Sequence, residues 1–339
     1  MIAGVRQLTN LESPVGQFLS QILVSHPHLV PAAVEQQLEQ LQNDYEEENH
    51  KEEPSGSGTD IVLYRRIAEV KANERRKALE EMLYTLVVQK FMDKKISLIP
   101  SISADATGRV DVWPSLDEKL EGVHSSEAFE MIQNHLALIL GDRSGDTSSV
   151  AQISKLRVGQ VYAASVMFGY FLRRIDQRFQ LEKAMKILPD QMGVKENEDE
   201  GQAPATLPMA YEDSTSFHQD KEQSSHPEVS PWAGGELGHG IKPSRLRSYV
   251  MAFDAETLAR YATIRSKEAV SIIEKHSEAL FGKPEIVFTS QGTIDPLREE
   301  HIKIGFGGLK RLVLEAVTFG SFLWDVESYV DSRIHFVLN

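Results

Sequence analysis

Apolar residues recur at three- and four-residue steps through most of this chain, a period that belongs to helices rather than strands. Val158, Val161, Tyr162, Ser165, Phe168, Gly169, Leu172, Ile175 and Phe179 follow it; so do Leu309, Leu312, Val313, Ala316, Phe319, Gly320, Leu323, Val326 and Val330. Each series predicts a helix with one broad apolar face. Small residues lie four apart on both faces, Ser165 with Gly169 and Ala316 with Gly320, where another helix can approach closely. Membrane helices use similar pairs, but the apolar run 158–172 is too short to span a bilayer and is followed by Arg173 and Arg174.

Other segments carry the same period. Ser125 is a candidate N-cap for a helix ending at Gly141, and Ser266 for one ending at Gly282. A long amphipathic stretch, residues 60–91, puts Ile61, Tyr64, Ile67 and Ala68, then Leu79, Met82, Leu83, Leu86 and Val87, on its apolar side. Glu69, Lys71, Glu74, Arg75 and Arg76 read as ion-paired surface. Near the start, Val15, Phe18, Leu19, Ile22 and Leu23 predict a helix interrupted by Pro27 and Pro31, with Val34, Leu38 and Leu41 in the next one. Alternation predicts one β-hairpin from Glu285-Ile286-Val287-Phe288-Thr289 and His301-Ile302-Lys303-Ile304, and a second from Leu98-Ile99-Pro100 and Val110-Asp111-Val112.

The pattern is duplicated. Glu127-Ala128-Phe129, Met131-Ile132, His135 and Gly141 recur as Glu268-Ala269-Val270, Ile272-Ile273, His276 and Gly282. Phe168-Gly169-Tyr170-Phe171-Leu172 with Ile175-Asp176 recurs as Phe319-Gly320-Ser321-Phe322-Leu323 with Val326-Glu327. A weaker match sets Leu19, Ile22 and Leu23 against Leu246, Tyr249 and Val250. The expected fold is therefore mainly α: two related helical modules packed together about a pseudo-two-fold axis, with one or two small β-hairpins. Module one is expected at 13–189, split by an insertion at about 42–122, and module two at 244–339.

Charge refines this division. The net charge of −14 comes from two segments. Residues 44–60 hold seven acidic residues against one lysine, −6, and residues 190–243 hold eleven against three, −8. Both are rich in Glu, Ser, Gly, Gln and Pro, bury too little to offset the entropy of ordering, and are expected to be disordered acidic linkers. Acidic segments repel phosphate backbones, and no basic stripe with interleaved aromatics is present, which argues against nucleic-acid binding. The absence of cysteine excludes disulfides, thiolate metal sites and cysteine nucleophiles.

No motif specifies a reaction. Gly305-Phe306-Gly307-Gly308-Leu309-Lys310 resembles a phosphate cradle but lacks the full dinucleotide or nucleotide pattern, so a glycine-permitted turn into a helix is the better account. None of the eleven histidines has metal-ligand spacing, and neither a metal nor a cofactor is expected. His135 and His276, equivalent in the two copies, read as partly buried helix residues bonded to backbone. The polar group Tyr170, Arg173, Arg174, Asp176, Arg178 and Glu182 stands out, because copy two keeps the apolar positions but has Ser321 for Tyr170 and Trp324 for Arg173; Tyr170, Arg173, Asp176, Arg178 and Glu182 are its candidate binding residues. Arg173 with Asp176 and Arg178 with Glu182 also have the spacing of helix-surface ion pairs.

Ala164-Ser165-Val166-Met167-Phe168-Gly169-Tyr170-Phe171-Leu172-Arg173, then Asp176-Gln177-Arg178 and Leu181-Glu182, resembles a domain of unknown function shared by cyanobacteria and plastids. With Tyr261-Ala262-Thr263-Ile264-Arg265-Ser266-Lys267-Glu268-Ala269-Val270 and the acidic middle, the chain resembles the plant UV-B-induced chloroplastic protein family. The resemblance implies a soluble, nuclear-encoded protein of the chloroplast stroma without an assigned activity. Members of that family begin with a transit peptide; Met1-Ile2-Ala3-Gly4-Val5-Arg6 carries no complete one, so a trimmed or shortened form is expected. The expected function is non-enzymatic and stress-responsive, acting through contact with a protein partner. The alternative is a small-molecule binder or enzyme with its site between the modules, and peripheral contact with the thylakoid surface is a third reading.

Overall fold

The structure, a computed structural model, describes residues 11–49, 58–102, 109–111, 113, 116–141, 149–188, 244–283 and 300–333. The hairpin arm at 285–289 and the acidic linker at 190–243 lie outside these residues. Among the described residues are ten α-helices and one two-stranded sheet. In chain order they are α1 Pro14–Ser25, α2 Val30–Asn49, α3 Gly58–Asp93, α4 Asp117–Glu121 and α5 Ser126–Leu140, then β1 Val150–Ser154 and α6 Lys155–Ala184. After these come α7 Arg245–Met251, α8 Ala255–Ala262, α9 Lys267–Phe281, β2 His301–Gly305 and α10 Phe306–Arg333. No described helix is long and apolar enough to cross a membrane.

Local chemistry sets matching boundaries in the two copies. Ser125 caps α5 by accepting from Ala128 N, and Ser266 caps α9 by accepting from Ala269 N. Gly141 and Gly282 close these helices at φ 61° and 78°, left-handed backbone that glycine adopts without a Cβ penalty. The buried faces correspond as well, with Ala128 and Ile132 of α5 matching Ala269 and Ile273 of α9.

The two modules pack about a pseudo-two-fold axis. β1 and β2 are antiparallel, and Gln152 pairs with Lys303, the residue that the repeat makes its own equivalent. Beyond the strands α6 crosses α10 where neither helix has a side chain. A Cβ on Gly169 would collide with the Val317 carbonyl oxygen, and one on Gly320 with the Val166 carbonyl oxygen. Val166 and Val317 are themselves equivalent, so the contact is reciprocal, as across a symmetric dimer.

Burial is not symmetric. Residues 311–324 of α10 are buried without a break, packed by α6, α3, α4 and α5, whereas α6 leaves Met167 exposed and Phe168 and Phe171 half-buried. The single apolar face expected for α10 is therefore too narrow an account. Its polar side chains at 311, 315 and 318 lie inside the protein and find hydrogen-bond partners there. Arg311 donates to Ser97 O at 2.9 Å, Glu315 accepts from Ile99 N at 3.0 Å, and Thr318 donates to Leu314 O at 2.8 Å.

Several sequence expectations change. β2 pairs with β1 across the modules, and among the described residues 98–100 form no strand with 110–111. Val110 N instead donates to Lys303 O at 3.1 Å, and Arg109 forms a parallel bridge to Lys303. The acidic run from residue 44 is helical as far as Asn49, because it completes α2 beside α3. In α3 the apolar side predicted from Ile61 and Ile67 is exposed, and the helix enters the core only from Ala78 onward.

Candidate functional site

The polar group on α6 is divided between two surfaces. Tyr170 is buried, and its hydroxyl donates to Glu327 and accepts from Arg265 N at 3.2 Å. Burial and the Glu327 carboxylate push its pKa above the ordinary tyrosine value, so the hydroxyl keeps its proton. Arg173 reaches across the module interface to Asp325, at 2.9 and 3.3 Å, instead of pairing with Asp176 along its own helix. Asp176 is buried and accepts from Ser125 Oγ at 2.7 Å, bracing the start of α5. Its equivalent, Glu327, accepts from Ser266 N at 3.0 Å and braces the start of α9.

Arg178 and Glu182 lie on the outer side. They form the expected pair at 2.7 Å, and Arg178 also donates to Tyr261 Oη at 3.1 Å. Both contacts raise the arginine pKa, so its charge is fixed. Between the two sets Arg174 closes the end of α8, donating to Arg260 O at 2.8 Å with its guanidinium 4.6 Å from the Tyr261 ring centre. Tyr170 and Arg173 thus join the modules, Asp176 joins α6 to α5 within the first copy, and Arg178, paired with Glu182, joins α6 to Tyr261. The five do not converge on one cavity. Arg173 borders a small cleft of about 170 Å³, shared with Lys90, Lys94, His124, Ser321 and Asp325.

The paired histidines have side-chain partners rather than the backbone partners expected. His135 stacks on Phe168 at 4.3 Å, and His276 stacks on Phe319 at 4.1 Å. His135 Nε2 lies 3.0 Å from Ser165 Oγ. Copy two has Ala316 in place of Ser165, and His276 turns to two hydroxyls: Tyr162 at 3.0 Å from Nε2 and Tyr84 at 3.5 Å from Nδ1. Burial lowers the pKa of His276 to about 3 and of His135 to about 4, so both are neutral near pH 7. Burial also pushes the Glu315 carboxyl up to about 8, against the opposing pull of Ile99 N–H and Arg311.

Tyr84 leads outward from this buried cluster to a larger cleft between α3 and α9. The cleft has a volume of about 560 Å³ and is lined by Lys77, Glu80, Glu81, Glu268, Ser271 and Lys275, among others. Glu80 accepts from Lys275 at 2.6 Å and from Ser271 Oγ at 2.9 Å. Glu81 is held by Glu12 N at 2.8 Å and by Ser13. Sequence reasoning missed this cleft because its walls come from distant helices and its charges look like ordinary surface pairs. The repeat of Glu127 at Glu268 was its one legible sign.

The glycine turn before α10 does hold an anion, the carboxylate of the chain's own Asp111. Gly305 N donates to it at 3.0 Å, Arg109 donates at 2.7 Å, and a Cβ on Gly308 would collide with Asp111. Burial works against that charge, but Arg109 and the Gly305 N–H keep the Asp111 carboxyl below its ordinary value. Among the described residues no group of His, Asp and Glu side chains is arranged to hold a metal ion.

Comparison with known proteins places these features. A family model described as "Protein of unknown function (DUF760)" matches residues 62–185, from the exposed part of α3 to the end of α6. The chain is 67% identical over 337 residues to a UV-B-induced, chloroplastic protein of Arabidopsis thaliana, an alignment covering 97% of this chain and 77% of that protein. No solved structure matches.

Proposed function

We propose that this chain, which belongs to the family of UV-B-induced chloroplastic proteins and is thus a stress-induced protein of the plastid, acts in the stroma without catalysis, by contact with another protein. One observation carries this reading: α3 leaves the core before Ala78 and exposes an apolar stripe. Leu63, Ile67 and Val70 lie at i, i+4 and i+7, on one side of the helix, and are 60%, 47% and 45% exposed, with Val62 beside them. A stripe at that spacing suits an amphipathic helix or a groove on a partner. The candidate residues on α6 support the reading from the other side, because their charges and hydroxyls are engaged within the molecule.

The test replaces Ile67 and Val70 with aspartate, positions whose exposure predicts little effect on folding. Capture from a stromal extract should lose a specific partner while the melting temperature stays unchanged. Light scattering on the purified protein identifies a partner that is a second copy, and flotation with thylakoid-lipid vesicles tests the peripheral-membrane alternative. Capture that is indifferent to both substitutions would exclude this surface.

A further inference from the structure

The cleft between α3 and α9 contains a carboxylate that no other described residue engages. Glu268 is 6% exposed and lines the cleft, yet among the described residues it makes no hydrogen bond or ion pair. Copy one shows what this position takes. There Glu127 accepts from Lys183 Nζ at 2.5 Å and from Gln180 Nε2 at 3.1 Å, and despite partial burial these contacts hold its carboxyl at about 2.

The repeat removes both donors from copy two. The register that equates Gly169 with Gly320 puts Ile334 in place of Lys183 and Asp331 in place of Gln180, and Asp331 pairs with Arg265. The other carboxylates of the cleft have partners: Glu80 with Lys275, Glu12 with Lys77, and Glu81 with Ser13 and the Glu12 N–H. Arg76 bonds Asn73 Oδ1 at 3.0 Å, and Lys267, exposed, stands at the edge of the cleft without a bond to Glu268 among the described residues. Leu11, Ile272 and Tyr84 add apolar wall, suited to the carbon chain behind a cationic head.

We infer that the cleft binds a primary alkylammonium group, with Glu268 accepting the hydrogen bonds that Glu127 accepts from Lys183. The group comes either from a free amine or from a lysine side chain of another protein. This goes beyond partner contact through α3, because it concerns a different surface and a defined chemistry.

Calorimetric titration of the full chain tests it. The probes are n-pentylamine with pentan-1-ol as its uncharged counterpart, and a short peptide with one lysine against the same peptide acetylated at that lysine. The amine, the lysine peptide or both should bind, and the two uncharged probes should not; which one binds identifies the source. Glu268→Gln keeps the shape and should weaken binding at least about tenfold, the worth of one charge-assisted hydrogen bond. Glu268→Asp keeps the charge and should fall between. Glu127→Gln, in the other copy, should leave binding unchanged while lowering stability. Melting curves establish that each variant is folded. Failure of the folded wild-type chain to bind either cationic probe, or equal binding by wild type and Glu268→Gln, overturns the inference.

Discussion

Helices α6 and α10 share an apolar pattern and nearly the same length, but the protein uses them differently. α10 is surrounded and keeps even Arg311, Glu315 and Ser321 inside, while α6 contributes one face to the core and carries surface contacts on the other. The divergence follows the surroundings. Position 315 is a buried glutamate that holds the Ile99 N–H, and its equivalent in copy one, Ala164, is exposed. His276 sits between two tyrosine hydroxyls, whereas His135, half-exposed, reaches one serine. Both copies keep the contact that they make with each other, while α3, packed on α9 and α10, changes what the remaining faces of copy two meet.

The comparison breaks first, and hardest, at the shared contact. Gly169→Leu and Gly320→Leu should each cost at least ~3 kcal/mol, because the new side chain meets a backbone carbonyl that cannot yield without separating the helices. Chemical denaturation should give similar losses for both; a large loss in one only would refute the reciprocal packing.

The histidines should then separate the copies. His276→Ala leaves a cavity and two buried hydroxyls without their partner and should cost about 3 kcal/mol; the more exposed His135→Ala should cost about 1 kcal/mol. Equal losses would mean that the two environments are energetically alike.

Acidity sharpens the contrast further. His276 titrates at about 3 in the fold, against an ordinary value of 6.5, so below about pH 6.5 the unfolded chain binds the extra proton. Its contribution is complete above that pH and declines as pH falls toward 3. Glu315 works in the opposite sense: between 4.5 and about 8 the folded state keeps a proton that the unfolded state releases. Stability from Glu315 is therefore lost as pH rises through that window. Glu315→Gln should abolish the loss on the alkaline side and retain the acid-side loss; parallel profiles for variant and wild type would show the carboxyl to be ionised in the fold.

The smallest effect belongs to the outer face of α6. Arg178 is paired with Glu182 at i, i+4 but is well exposed, and Arg178→Ala should change stability by no more than about 0.5 kcal/mol. A larger loss would make the contact with Tyr261 a structural joint instead of a surface pair.

How much of this was readable in the sequence depended on the kind of signal. Ser125, Gly141, Ser266 and Gly282 were legible because caps are local chemistry, and Gly169 and Gly320 because a missing side chain within an apolar face implies close approach. The pairing of β1 with β2 was not, since Gln152 and Lys303 carry no mark of their partner. Neither was the burial of Arg311 and Glu315, whose i, i+4 spacing is that of a surface pair. Tyr170, Arg173 and Asp176 were legible as polar positions on α6, the first two because the copies differ there. Their partners, Glu327, Asp325 and Ser125, come from elements that periodicity along one helix cannot bring together.

The glycine-to-carbonyl crossing also constrains the order in which the protein can be made. It joins Gly169 to Val317 and Gly320 to Val166, 148 and 154 positions apart, and Gln152 pairs with Lys303 at a separation of 151. Contacts so distant in sequence close slowly, after their entropy has been lost and before they stabilise anything. A ribosome working at ~5–20 residues per second completes α6 roughly 7–30 s before the end of α10 has been synthesised. Throughout that interval the face around Val166 and Gly169 has no partner, so the first half emerges as an adhesive surface waiting for its own duplicate.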